Sequence, residues 1–156
     1  MNLDWLADQG LERLPQFLTA IAIGLLIGLE RERNPTAKAG LRTFALVALA
    51  GATAADLARI FESPAIIAVG LGVIALMMIA AYYHHHEKFH EWDPGTTTIA
   101  AVITCYLLAA MVLTGHVRLS VILAILTTIL LYFKAELRGV AHKLERRDLV
   151  SILQLA

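Results

Sequence analysis

The sequence predicts an all-α integral membrane protein: a bundle of about five transmembrane helices, N-terminus outside and C-terminus in the cytoplasm, with a C-terminal amphipathic cytoplasmic helix behind it. Three observations predict this. Of 156 residues, 58% are hydrophobic and only 17% charged, an apolar excess that soluble chains do not carry. The apolar residues gather into five runs, about 14–29, 41–61, 64–83, 96–115 and 119–133, separated by turn chemistry. In a five-span arrangement the basic residues divide ten against three, with only Arg13, Arg59 and Arg118 on the outer side, and that asymmetry sets the orientation. A four-span or six-span arrangement breaks the alternation.

The elements follow in order. The first residues carry Asp4, Asp8 and Glu12 where a leader would carry basic residues, which argues against a removable signal peptide; they read as an external interfacial turn with Trp5 at the headgroups. The first run is short for a span, which needs roughly 17–25 apolar residues. Its Gly24 and Gly28 form a small-xxx-small face that admits another helix closely, so it is expected inside the bundle. Asn34-Pro35 stops this helix and Gly40 precedes the second. Ser63-Pro64 starts the third, with proline near the first helical position, and Asp93-Pro94-Gly95 separates it from the fourth. Residues 115–118 fit a tight hairpin into a short fifth run. Beyond Phe133, Leu137, Val140, Ala141 and Leu144 form a helical stripe among Lys134, Arg138, Lys143, Arg146 and Arg147, a pattern suited to anionic lipid. The expected division is therefore a transmembrane domain over 14–134 and an amphipathic helix with an apolar tail over 135–156.

Net charge is zero and suggests no nucleic-acid partner. The single cysteine, Cys105, excludes a disulfide or a multi-thiolate metal site within the chain. No Walker loop, dinucleotide fingerprint or nucleophile elbow is present, and the chain is not read as an enzyme.

The densest chemistry lies in residues 24–43, GLLIGLERERNPTAKAGLRT. Glu30 stands at a helix C-terminus and Arg42 at a helix N-terminus, where the dipole disfavours each sign. An antiparallel hairpin is expected to bring them together as an ion pair, with Arg31, Arg33 and Thr43 beside them. That cluster is a candidate gate or ion contact; the alternative is that it only fixes helix ends, with surplus arginines snorkelling to headgroups.

Residues 26–43, LIGLERERNPTAKAGLRT, resemble the signature of the MgtC/SapB family of bacterial membrane proteins, in which a Gly-x-x-x-Gly helix ends in Glu-Arg and Ala-Gly-Leu-Arg-Thr opens the next span. The similarity extends over about residues 17–137. It is nearest to the N-terminal half of larger two-part members, whose fourth span opens with a Pro-Gly-Leu-Thr-Thr-like segment; here Pro94-Gly95-Thr96-Thr97-Thr98 has Thr in place of that Leu. The soluble C-terminal domain of the namesake type has no counterpart in these residues. The resemblance implies a multi-pass protein of the bacterial inner membrane that serves magnesium homeostasis, either in transport or as a regulator of another membrane protein.

Two further groups invite a metal. Asp56, beside Thr53 in the second run, offers one carboxylate to Mg²⁺, but it can also pair with Arg59 at i+3. His86 and His90 are spaced i, i+4 in His86-Glu87-Lys88-Phe89-His90, which matches the bare zinc-hydrolase spacing. No third ligand is evident beyond Glu91 or Asp93, so a solvated polar loop is the favoured reading, with a regulatory metal or pH sensing as the alternative. Thr127 and Thr128 either line a hydrated path or bond their own backbone. No cofactor is required, Mg²⁺ being the one candidate. Five helices with few deep polar groups leave little room for a path in one subunit, so a homodimer or a second membrane subunit is expected, with any path at their interface.

Overall fold

The computed structural model describes residues 11–33, 39–85 and 96–133. Among these there are five α-helices and no strand. A 3-10 turn, Leu11–Arg13, leads into α1, Leu14–Glu32, with Pro15 in the first helical turn, where a missing N–H costs nothing. After the extended Gly40 comes α2, Leu41–Ile60. A left-handed residue ends it: Glu62 has φ 52°, and Ser63 N–H reaches back to the Ala58 carbonyl at 2.9 Å, the closure that glycine usually provides. Then follow α3, Ala65–His85, and α4, Thr96–Leu113. Gly115, at φ 92°, makes the turn into α5, Val117–Tyr132.

Three helical segments, Leu11–Glu32, Leu41–Ile60 and Thr96–Leu113, are long and apolar enough to cross a membrane. Of the other two helices, Val117–Tyr132 is shorter, at 16 residues, and the 21-residue α3 is apolar over Ala65–Ala81. The sequence makes the first run short, whereas the 3-10 turn and the charged end extend the first helix beyond its apolar core. The tail 135–156 lies outside the described residues.

The centre of the bundle is α2, packed against α1 and α4, while α3 and α5 lie toward the outside. Small residues make this possible. A methyl added at Gly24 would lie 2.6 Å from the Phe44 carbonyl oxygen and 2.7 Å from Ala48 Cβ, and one at Gly28 would lie 2.9 Å from Leu41 Cα. The α1 and α2 backbones therefore meet directly. Direct van der Waals contact of this kind holds apolar helices together even in surroundings as apolar as they are.

Hydroxyls fasten the outer helices to this centre. Tyr106 donates to the Ile67 carbonyl at 3.0 Å, tying α4 to α3, and Ser120 donates to the Leu108 carbonyl at 2.6 Å, tying α5 to α4. Gly70 leaves the space that the Tyr106 hydroxyl enters. By contrast Thr53, Thr127 and Thr128 donate to Leu49, Leu123 and Ala124 within their own helices, which is the local reading of these threonines.

Candidate functional site

At the end of α1, helical phase decides what each charge does. Successive residues turn by about 100°, so Arg31 shares the face of Gly24 and Gly28, seven and three positions earlier. That face turns into the bundle, and Arg31 is only 2% exposed. Glu30 stands at the edge, where its Oε2 accepts a hydrogen bond from Arg31 Nε at 2.9 Å. Arg31 Nη2 is buried and makes no hydrogen bond among the described residues.

The expected Glu30 and Arg42 pair does not form. Glu30 is held by Arg31, its chain neighbour, and Arg42 is exposed at the start of α2. The dipole problem is resolved by Glu32 instead, whose carboxylate accepts the Leu41 N–H at 2.9 Å. An acidic group thus caps the positive end of α2. A side chain at Gly40 would occupy the place of that carboxylate. Thr43 is half-buried and Arg33 exposed.

The Gly24 and Gly28 face is also not free for a partner, because α2 covers it. At the opposite end of the same hairpin, Asp56 Oδ1 bonds Arg13 Nη1 at 2.6 Å and Arg59 Nη2 at 3.3 Å. The Arg59 contact is the local pairing that spacing suggests; the Arg13 contact crosses between helices. No group of three His, Cys, Asp or Glu side chains able to hold a metal occurs among the described residues. The His86 and His90 spacing lies outside them.

Beside Glu30 a groove of about 510 Å³ runs between α1 and α5. Leu26, Leu29 and Glu30 of α1, Arg33 at its C-cap, and Thr128, Ile129 and Tyr132 of α5 line it.

These charged residues and close-packed glycines lie within a wider match. Residues 17–140 match the model of the MgtC family. The chain belongs to the MgtC family. No curated protein and no solved structure matches it. For this MgtC-family chain, sequence reasoning missed the burial of Arg31, the cap by Glu32 and the Arg13 partner of Asp56. The first had a visible signal: an arginine in phase with two close-packing glycines must turn inward with them. The other two depend on how far α2 slides along α1, which local pattern does not record.

Proposed function

We propose that the chain is a multi-pass protein of the bacterial inner membrane, N-terminus outside and C-terminus in the cytoplasm, that serves magnesium homeostasis as a regulatory module bound to another membrane chain. Family membership and the three span-length apolar helices support the membrane placement. The observation that carries the regulatory reading is that both half-buried carboxylates of the described bundle already hold guanidinium groups, Glu30 that of Arg31 and Asp56 those of Arg13 and Arg59. Mg²⁺ binds through one or two carboxylates while keeping several waters, and a carboxylate with one oxygen already given to an arginine is a weaker host for a divalent ion. The partner then meets one of the outward apolar faces, since the Gly24 and Gly28 face is filled.

A second reading keeps transport, because Glu30 lines an outward-facing groove, where a second subunit would complete a path. Mg²⁺ flux into sealed proteoliposomes separates the two. No flux with the full chain, together with cross-linking to a membrane subunit in cells, is the expected result. Flux that Glu30→Gln abolishes in a folded protein overturns the regulatory reading in favour of transport.

A further inference from the structure

We propose that the groove between α1 and α5 binds a phospholipid whose head group carries both a phosphate and a primary ammonium, the phosphatidylethanolamine class. The proposal rests on the membrane placement given above. At about 510 Å³ the groove falls within the roughly 300–1,000 Å³ usual for small-molecule sites. Along α1 its lining runs from Leu26 through Leu29 and Glu30 to Arg33, and along α5 from Thr128 and Ile129 to Tyr132. Leu26, Leu29 and Ile129 are all more than one-third exposed on the bundle's outer surface, as acyl-chain contacts must be. Toward the other end stands Tyr132, edge-to-face with Phe133 at 5.1 Å between ring centroids, and tyrosine is a residue enriched at headgroup level.

The charges choose the head group. Arg33 is exposed at the groove, and its guanidinium suits a phosphate. Three residues earlier on the same face, Glu30 gives Oε2 to Arg31, while its Oε1 makes no hydrogen bond among the described residues. One guanidinium and one carboxylate oxygen side by side complement a phosphate followed by an ammonium. A purely anionic head group leaves the carboxylate facing negative charge, and a quaternary ammonium has no N–H to donate to it. Arg31 holds the Glu30 side chain from inside and is a positioning residue for this site.

Native mass spectrometry of the full chain, loaded from an equimolar mixture of phosphatidylethanolamine, phosphatidylglycerol and phosphatidylcholine with identical acyl chains, tests this. The wild type is expected to retain phosphatidylethanolamine about tenfold over the others, the value of one charge-assisted hydrogen bond. Arg33→Gln and the groove-filling Ile129→Trp lose retention of all three; Glu30→Gln keeps binding but loses the preference over phosphatidylglycerol. Accessibility of the buried Cys105 thiol checks that each variant is folded, and the Arg33 and Ile129 variants decide alone if Glu30→Gln is not. Equal retention of the three lipids, or an Arg33→Gln protein indistinguishable from wild type, overturns the proposal. A chain that fails to sediment with membranes overturns the placement instead.

Discussion

Two glycines in apolar helices, Gly24 in α1 and Gly72 in α3, are expected to respond oppositely to the same substitution. A Cβ at Gly72 meets nothing within 4 Å, whereas one at Gly24 lies 2.6 Å from the Phe44 carbonyl oxygen, 2.7 Å from Ala48 Cβ and 3.0 Å from Ala45 Cα. Two of these three atoms belong to the α2 backbone and cannot rotate away. Carbon atoms rest at about 3.5–4.0 Å, so α1 and α2 must separate by roughly 1 Å, enough to forfeit about a quarter to a half of each neighbouring contact. Overpacking of this kind costs about 1–3 kcal/mol. Alanine also gains about 1 kcal/mol over glycine in a helix, but both variants receive that gain, so their difference isolates the packing. Gly72→Ala should therefore be neutral or stabilising, and Gly24→Ala less stable than it by about 1–3 kcal/mol. Cys105 supplies the assay: it is the only cysteine, and it is buried with its thiol donating to the Phe44 carbonyl at 3.5 Å. Thiol labelling across a denaturing-detergent titration thus reads opening of the α2 and α4 contact. Equal midpoints for the two variants would refute direct backbone contact between α1 and α2.

Four further outcomes follow from the charges, the hydroxyls and the turns. Glu30→Gln should destabilise the protein by about 3 kcal/mol because it leaves Arg31 buried without its carboxylate, and the double change Glu30→Gln with Arg31→Met should cost less. Arg42→Gln should leave the same unfolding midpoint as wild type, whereas equal losses at positions 30 and 42 would restore the pair that the structure does not contain. Tyr106→Phe should cost about 1 kcal/mol by releasing the Ile67 carbonyl, read as loosening of α3 by hydrogen exchange. Glu62→Gly should raise stability by about 0.5–1 kcal/mol, since glycine adopts the left-handed conformation without steric strain; a loss in thermal midpoint there argues against the positive φ.

Much of the fold was legible because hydrophobic runs and turn chemistry are local signals. Gly40, Ser63-Pro64 and Gly115 each constrain the backbone where they stand: helices begin directly after Gly40 and Pro64, and one ends and the next begins two residues either side of Gly115. Span length was less legible. The first run reads as short because charges end its apolar stretch at Leu29, yet the helix continues to Glu32, since Arg31 can turn inward onto a carboxylate and Glu32 can cap α2. Hydropathy counts such residues as interruptions, but a helix needs only their backbone.

The charged site was harder to read because partner choice there is a matter of angle. Glu30, Arg31 and Glu32 are neighbours in sequence, but about 100° of rotation per residue sends Glu30 to the groove edge, Arg31 into the core and Glu32 toward the start of α2. Reasoning from helix ends places a carboxylate near Arg42 without deciding which one, and it assigns to Glu30 a role at the α2 terminus that Glu32 performs. Phase can be recovered from the glycines. Once Gly24 and Gly28 are taken to face α2, Arg31 must follow them inward, and an arginine buried there requires the nearest carboxylate able to reach it. Glu30 meets that need from the adjacent position, so its orientation is set by burial of Arg31 rather than by attraction to α2. That constraint also fixes one carboxylate oxygen inward and leaves the other at the groove.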